Sequence, residues 1–326
     1  MIDLSVVIPC YENAALLARC LDGLARARAA HPELAFEVVV VDNGSREPVV
    51  ETARASSLAP RVVALARNRG FAAAVDFGLR LRRGRHVLLL NSDAVVEPDA
   101  LARGLAHLDA EADLGVVGAR LRHGDGRPQR SAHAFPGLAS ALLSDRLVRG
   151  WHAIARARPF GASGAGDALR DVPAVRGAVF FVRGDVLDAI GDFDASYFFF
   201  LEETDYCWRV RAAGLRVAEA GDVRATHALG ASSKARAPLA TRIEFERSLD
   251  RFLRRHRGRA TAGLVRALRT LRTALGATLL LLPAVASRRA RRRGRERAGL
   301  LLWHLRGRPD EPVLAEALAA GSGRAA

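Results

Sequence analysis

Short apolar runs alternate with longer segments of helical spacing over about the first 120 residues of the chain. Residues 4–11, 36–42 and 87–93 each begin with consecutive apolar side chains and end in small or polar ones. Runs of this kind are typical of strands that are buried on both faces inside a parallel sheet. Two further short strands are predicted at residues 61–65 and 115–119.

The segments between these runs carry apolar residues three and four positions apart. Residues 16–24 place leucines and Cys20 on one helical face, and Asn13 stands where an N-cap is expected. A second helix is predicted to begin near Gly70, because apolar positions from Phe71 onward again share one face. This alternation predicts an α/β fold, an open and mostly parallel sheet with helices on both faces.

Polar side chains stand at the ends of two of these strands. Asp42 ends the second apolar run, and Asn91, Ser92 and Asp93 follow the fourth strand. Ligands of open α/β sheets bind outside the carboxyl ends of the strands, so Asp93 is predicted to lie where a divalent cation and a diphosphate are held. The alternative from the residues alone is that Asp93 caps the following helix.

Three acids follow an aromatic run in the second half of the chain. A strand is predicted at residues 175–183, and Glu202, Glu203 and Asp205 come directly after aromatic residues 197–200. Acids in a first helical turn are favoured by the helix dipole, which is the structural interpretation. The functional one is that repulsion and apolar neighbours raise the pKa of one acid, which then accepts a proton from a hydroxyl.

A histidine ends another predicted strand. His227 follows residues 223–226, and from the residues alone it is either an ordinary hydrogen-bonded polar residue or a cation ligand. The second interpretation requires an acid such as Asp93 on a neighbouring strand end.

Positive charge is concentrated near the C-terminus. The 326 residues carry a net charge of +15. Residues 1–250 contain 32 Lys and Arg against 31 Asp and Glu, whereas residues 251–308 contain 17 Arg against one Glu. An uncharged stretch at residues 273–287 is too short to span a bilayer, which takes about 20 apolar residues, and Pro283 interrupts it.

Apolar helix faces beside clustered arginines predict a tail that lies on the surface of an anionic membrane, with packing on the body of the protein as the alternative. Phe252 and Trp303 are the only aromatic residues in this region, which disfavours base stacking and predicts no nucleic acid partner. Cys10, Cys20 and Cys207 lack paired or metal-like spacing, and no signal peptide is visible. A reducing, cytoplasmic location on the inner face of the cell membrane is therefore predicted.

Six motifs stand in a specific order along residues 3–258. They are residues 6–13, 41–45, 68–72, 90–93 and 202–205, and His227. This order resembles family 2 glycosyltransferases, and more narrowly the bacterial rhamnosyltransferase-like branch that builds surface polysaccharides. Asp125-Gly126, Gln129-Arg130-Ser131 and Phe135-Pro136 are also similar to that branch.

The resemblance implies the GT-A-like fold of nucleotide-diphospho-sugar transferases. Residues 1–258 would form the catalytic domain, with a nucleotide-binding half at 1–120 and an acceptor-side half at 121–258. Residues 259–326 would form a basic, amphipathic helical tail. Residues 123–172 are rich in Gly, Ala and Arg and are predicted to be irregular, with 161–166 as the piece expected to be disordered.

The resemblance also implies roles for individual residues. Asp93 and His227 would hold Mn²⁺ or Mg²⁺. Glu203 would be the catalytic base, with Glu202 and Asp205 as further catalytic candidates. The nucleotide-sugar site would comprise Pro9, Tyr11, Glu12, Asp42, Asn68, Gly70, Asn91, Ser92 and Asp93.

The chain departs from the family pattern at two positions. Asn91 stands where the family has the first acid of its Asp-x-Asp motif, and Glu203 stands where the family has the Asp of a Glu-Asp pair. The first change removes one charged group beside Asp93, and the second lengthens the side chain of the expected base.

The predicted function is inverting transfer of a sugar, expected to be rhamnose, from a dTDP- or UDP-linked donor to a lipid-linked saccharide. One alternative is a sugar-nucleotide nucleotidyltransferase, although residues 9–13 lack the Gly-rich basic loop that would cradle a triphosphate. The other is a catalytically inactive protein that binds membranes or polysaccharides, which the presence of Asn91 makes conceivable.

Overall fold

The computed structural model describes residues 2–138, 169–228, 237–279, 287–307, 314 and 316–318. The chain forms two compact units. The first comprises residues 1–135, 159–198 and 202–231, and the second comprises residues 136–158, 199–201 and 232–326.

A single large sheet organises the first unit. Its order in the described part of the chain is β3-β2-β1-β4-β10-β6-β11-β5, with β8 paired to β11. Its strands are β1 (Leu4–Cys10), β2 (Phe36–Asp42), β3 (Arg61–Ala64), β4 (His86–Leu90), β5 (Ala94–Val96), β6 (Leu114–Arg122), β8 (Leu169–Asp171), β10 (Val179–Val182) and β11 (Arg216–His227). A separate small sheet pairs β7 (Ala132–His133) with β9 (Ala174–Val175).

The large sheet is mostly parallel, as predicted. Strands β1 to β4, β6 and β11 run in one direction, and β5, β8 and β10 run in the other. Alternate residues of β1 enter two different cores, with Val6 and Ile8 on one side and Val7 on the other. Burial on both faces explains why the strands read as unbroken apolar runs.

Helices cover both faces of this sheet, which confirms the predicted α/β class. Helices α1 (Ala14–Ala30), α2 (Val49–Arg54) and α4 (Ala100–Ala110) pack on one face. Helices α3 (Phe71–Leu79), α5 (Gly184–Ile190) and α6 (Glu202–Ala212) pack on the other. The helix starts predicted near Gly70 and at Glu202 are confirmed.

One local prediction was wrong, and another is confirmed in position but not in its side-chain hydrogen bond. The single strand expected at 175–183 is divided into β9 and β10, because β9 pairs with β7 while β10 lies antiparallel between β4 and β6. Asn13 does occupy the N-cap position of α1, but its side chain makes no capping hydrogen bond. The Glu47 carboxylate accepts the Ala14 N–H at 2.8 Å instead.

The segment expected to be irregular contains short strands at both ends, β7 and β8. The piece at 161–166 lies outside the described residues.

The second unit is helical in its described part. It contains α7 (Pro238–His256), α8 (Arg259–Thr278) and α9 (Arg288–Leu305), and these helices pack against one another. The helical C-terminal region is therefore confirmed. The domain boundary expected at residue 258 falls inside this unit, because α7 packs on the tail helices. None of the described helices is long and apolar enough to span a bilayer.

Candidate active site

The turn after β4 places Asp93 against the end of β11. The Asn91 N–H donates to the Ala178 carbonyl at 3.0 Å, and the Ala94 N–H donates back to the Asn91 carbonyl at 3.0 Å. The chain then enters β5, in which Ala94 pairs with His227, and the Ala228 N–H donates to the Asp93 carbonyl at 3.0 Å. Two backbone connections therefore fix the carboxylate beside the imidazole.

Asp93, His227 and Gln129 form a chain of polar contacts. The His227 Nε2 lies 3.1 Å from an Asp93 carboxylate oxygen, and the His227 Nδ1 lies 2.8 Å from the Gln129 Oε1. The Gln129 Nε2 donates to the His227 carbonyl at 3.2 Å, which sets the orientation of the amide. The Gln129 Oε1 is therefore the acceptor of the His227 Nδ1–H.

This arrangement gives the neutral His227 ring a defined tautomer. With the proton on Nδ1, the lone pair of Nε2 points to a carboxylate oxygen, so two acceptors face each other and require a proton or a cation between them. Metal-binding histidines usually donate their second ring N–H to an oxygen, as His227 does here. Adjacent ligands of an octahedral Mg²⁺ lie about 3 Å apart, so the pair fits a divalent cation.

The protein supplies few further donors at this position. In the described residues, no group of three or more His, Cys, Asp or Glu side chains is placed to hold a metal ion. A cation at Asp93 and His227 would therefore take its remaining ligands from water or from a bound diphosphate.

Asn91 presents an unusual acceptor beside these residues. Its side-chain oxygen is buried and has no hydrogen-bond partner among the described residues. A buried, unsatisfied acceptor costs roughly 1–3 kcal/mol, so a hydroxyl that donates to Asn91 would be favoured. Ser92, the next residue, is buried beside Cys10.

Some of the residues expected around the nucleotide are buried and hold the backbone in position, and others are more accessible. Glu12 is buried in a left-handed conformation (φ 54°), and its carboxylate accepts the Arg46 N–H at 3.0 Å and the Glu47 N–H at 3.3 Å. Pro9 is also buried, whereas Tyr11 is partly exposed. The side chains of Pro9 and Glu12 therefore shape this edge of the sheet, and their contribution to the nucleotide pocket stays a prediction.

Asp42 ends β2 beside this edge. It is nearly buried, and its carboxylate accepts the Ser45 N–H at 3.0 Å, which leaves its other oxygen available for a ligand.

Asn43, which the sequence analysis did not single out, holds the loop that contains Asn68 and Gly70. Its side-chain amide donates to the Asn68 Oδ1 and to the Gly70 carbonyl, each at 3.0 Å. Gly70 has a φ of 91°, and a Cβ there would lie 2.6 Å from the Phe198 carbonyl oxygen. These contacts hold Asn68 and Gly70 in the loop. Asn43 belongs to the sequence motif at 41–45, so the sequence contained a signal for it.

The three acids of α6 have different environments. Asp205 is fully buried, and the Arg209 Nε donates to its carboxylate at 3.0 Å. That ion pair supports a structural role for Asp205, and its place among the catalytic candidates stays a prediction. Glu202 is buried, whereas Glu203 is partly exposed.

Burial raises the pKa of Glu203 above that of an ordinary carboxyl group, and the positive charge of Arg176 opposes this increase. Gly177 is packed against the same side chain, since a Cβ there would lie 3.5 Å from the Glu203 Cβ. Neither Arg176 nor Gly177 was expected at the site. The only sequence signal for them was their position before an apolar strand.

One short segment connects the acid of α6 to the turn after β4. Gly177 contacts Glu203, and the next residue, Ala178, accepts the hydrogen bond from Asn91. Glu203 and the 91–93 turn are therefore neighbours of two consecutive residues. Asp93 and His227 are brought together within the first unit, and a shared site with Glu203 stays a prediction.

A family model described as Glycosyl transferase family 2 matches residues 5–164, which contain this turn. This matched part, just under half of the chain, is similar to glycosyl transferase family 2. The two acceptors at the carboxyl end of β4 and β11 are consistent with that assignment.

Curated relatives resemble part of the chain. A dolichyl-phosphate β-glucosyltransferase from Drosophila melanogaster is 33% identical over 108 residues, which are 30% of this chain and 33% of the relative. A dodecaprenyl-phosphate galacturonate synthase from Rhizobium johnstonii is 30% identical over 130 residues, 38% of each chain. The chain thus spans about a third of the length of these relatives.

The fold is similar to a solved glycosyltransferase. The mannosyltransferase PcManGT from Pyrobaculum calidifontis, solved with GDP-Man and Mn²⁺, superposes with a TM-score of 0.56 at 19% identity. The match covers 94% of this chain and 88% of that one. It confirms the GT-A-like fold.

Proposed function

We propose that this protein transfers a sugar from a nucleoside-diphosphate donor to a lipid-linked acceptor, with inversion at the anomeric carbon. The observation that carries the proposal is the pair of facing acceptors, the Asp93 carboxylate and the His227 Nε2, 3.1 Å apart at the carboxyl ends of β4 and β11. The similarity of residues 5–164 to glycosyl transferase family 2 gives this pair its chemical context.

Asp93 and His227 would hold Mn²⁺ or Mg²⁺, which would act as a Lewis acid on the departing diphosphate. The pairing of β5 with β11 next to them holds both residues in position. Gln129 keeps the lone pair of the His227 Nε2 directed toward the carboxylate. The buried Asn91 side-chain oxygen has no partner among the described residues and would accept a hydroxyl of a donor sugar that displaced its apolar surroundings.

Glu203 is the proposed base. Its raised pKa makes the ionised carboxylate a better proton acceptor, and its partly exposed side chain can reach an acceptor hydroxyl. As the hydroxyl attacks the anomeric carbon, its proton moves to Glu203 and the sugar–phosphate bond breaks. One attack in line with the leaving group needs no covalent intermediate, so the configuration inverts.

The acceptor class is inferred from the relatives. Two of them are named for transfer involving dolichyl phosphate or dodecaprenyl phosphate, which supports a lipid-phosphate acceptor for this chain. The finer proposal is a dTDP- or UDP-linked donor, with rhamnose as the sugar and a lipid-linked saccharide as the acceptor. Its support is the resemblance of residues 125–136 to the rhamnosyltransferase-like branch.

The test begins with nucleotide binding. Titration calorimetry of the full-length protein with UDP, dTDP and GDP, with and without Mn²⁺, is expected to show binding that depends on the metal. Asp93→Ala should lose the metal-dependent part, whereas Asp22→Ala, which changes an exposed acid on α1, should bind as the wild type does.

Transfer is then measured with the matching nucleotide sugars and polyprenyl-phosphate or polyprenyl-linked saccharide acceptors. The product is expected to have the anomeric configuration opposite to that of the donor. Unchanged metal-dependent binding in Asp93→Ala, or a product with retained configuration, would contradict the proposal.

A further inference from the structure

Helix α8 of the second unit exposes its leucines. Leu264, Leu271, Leu275 and Leu279 are each at least half exposed, from 50% for the first to 77% for the last. They are spaced by seven, four and four residues, so they lie along one side of the helix. We name this row, together with Leu302 and Leu305 of α9, the leucine face.

The opposite side of α8 is charged and is turned toward the protein. Arg266 donates to the Asp250 carboxylate of α7 at 2.8 Å, and Arg269 donates to the Glu246 carboxylate at 2.7 Å. An ordinary amphipathic helix buries its apolar side and exposes its charges. Helix α8 buries Ala262 and Val265 on this side, but two of its arginines also face the acids of α7 there, while four leucines remain exposed.

Helix α9 extends the apolar surface. Leu302 and Leu305 are also more than half exposed. Leu305 and Leu301 line one side of a groove whose other side is formed by α8 residues, including Ala267, Leu271 and Ala274. Two members of the leucine face, Leu271 of α8 and Leu305 of α9, therefore line the same groove, which joins the exposed apolar residues of the two helices.

Positive charge surrounds this surface. Residues 259–279 and 287–307 contain 12 Arg and a single acid, Glu296. Arg291 and Arg295 are exposed, and they lie eleven and seven residues before Leu302, which places them on the same side of α9 as that leucine. A surface that combines exposed leucines with arginines is chemically matched to lipid chains below a layer of anionic headgroups.

We propose that the leucine face docks on an anionic lipid surface, with the leucines at the level of the acyl chains and the arginines among the phosphates. A second copy of this chain is a poorer occupant, because two such surfaces would bring like charges together. The proposal goes beyond the sugar transfer, since vesicle binding by α8 and α9 requires neither nucleotide nor metal.

The test uses the full-length protein and sedimentation with vesicles. Vesicles of phosphatidylcholine alone and vesicles containing 30 mol% phosphatidylglycerol (about one anionic lipid in three) are compared at low and high salt. Binding is expected only to the anionic vesicles, and it should decrease as salt screens the arginines. Equal binding to both vesicles, or to neither, would overturn the proposal.

Variants separate the two contributions. Leu264→Gln, Leu271→Gln and Leu275→Gln combined should reduce the vesicle partition coefficient at least tenfold, and so should Arg291→Gln, Arg293→Gln and Arg295→Gln combined. Phe77→Gln removes an exposed apolar side chain from the first unit and is the matched control, which should bind as the wild type does. Circular dichroism and nucleotide binding should be unchanged in all variants, which distinguishes lost docking from lost folding or a failed site.

Two outcomes would reject lipid docking, and the second of them would assign the leucine face to a second copy of the chain. If the leucine variant sediments with anionic vesicles as well as the wild type does, the face is not the lipid contact. If the wild type is a dimer by light scattering and the leucine variant is a monomer, a second copy covers the face. Either result rejects lipid docking while leaving the proposed transfer intact.

Discussion

Helices α1 and α8 have similar sequence patterns and opposite orientations. In α1, Leu17, Leu21 and Leu24 are fully buried against the sheet. In α8, Leu271 and Leu275 are exposed, and it is the arginines that contact the neighbouring helix. Periodicity therefore identifies an amphipathic helix, but the partner decides which side is covered. A sheet of valines covers leucines, whereas a helix that carries acids covers arginines.

The two units also differ in where they place their acids. The first unit keeps Glu203 close to the 91–93 turn, and the second uses Glu246 to hold Arg269. Substitutions in each unit test whether the first unit carries the chemistry and the second is a charged helical unit.

The largest expected effect is on turnover. Glu203→Gln should lower kcat by about 10²- to 10⁴-fold, because the amide cannot accept the proton of the acceptor hydroxyl. Nucleotide binding should persist, and Glu246→Gln in the second unit should retain turnover. In the wild type, kcat/KM should rise with pH as Glu203 loses its proton. The rise should occur above the pKa of an ordinary carboxyl group, because burial raises the pKa of Glu203. A Glu203→Gln enzyme within tenfold of wild type would remove the assignment.

The ion pairs of the two units should differ in strength. Asp205 is completely buried with Arg209, so Asp205→Asn should destabilise the protein by about 3–5 kcal/mol. Asp250 pairs with Arg266 at a partly exposed position, so Asp250→Asn should cost about 1 kcal/mol or less. Urea denaturation followed by circular dichroism measures both, and similar costs would show that the two environments are alike.

The leucines of the two helices should respond differently to truncation. Leu21→Ala leaves a cavity in the core of the first unit and should cost about 2–5 kcal/mol. Leu275→Ala removes an exposed side chain and should change the free energy of unfolding by about 0.5 kcal/mol or less. The same urea titrations apply, and a large loss at Leu275 would mean that the leucine face is covered in solution.

The smallest effect concerns the His227 tautomer. Gln129→Leu removes the acceptor of the Nδ1–H, so Mn²⁺ affinity measured by electron paramagnetic resonance should decrease by about 10- to 100-fold. Gln129→Glu supplies an acceptor again and should restore binding. A Leu variant with wild-type affinity would show that Asp93 alone holds the ion.

The strands were predictable because both faces of the sheet are covered. Almost every residue of strands β1, β2 and β4 is buried and most are apolar, so consecutive valines and leucines identify these strands. The division of residues 175–183 into β9 and β10 was not legible, because it depends on pairing with β7, more than 40 residues away. The exposure of the leucine face was equally hidden, since the sequence of α8 does not contain its partner.

The acids of the candidate site could be predicted from the sequence, but the residues that hold them in position could not. Asp93 and His227 stand at strand ends, where a parallel sheet places ligands. Gln129 lies 98 positions before His227, and only the parallel pairing of β6 with β11 brings them together. The structural role of Asp205 could have been recognised, because Arg209 follows it at the i+4 spacing of helical ion pairs.

The pairing of β5 with β11 has a consequence for how a cation would bind. Ala94 and His227 are opposite each other in this ladder, and Ala228 is hydrogen-bonded to Asp93. The two donors therefore move as one rigid body, and the conformational entropy of assembling them is lost when the sheet forms and not when the ion arrives. Association of the metal should then proceed without a slow ordering phase, at a rate set by diffusion and by the release of water from the ion.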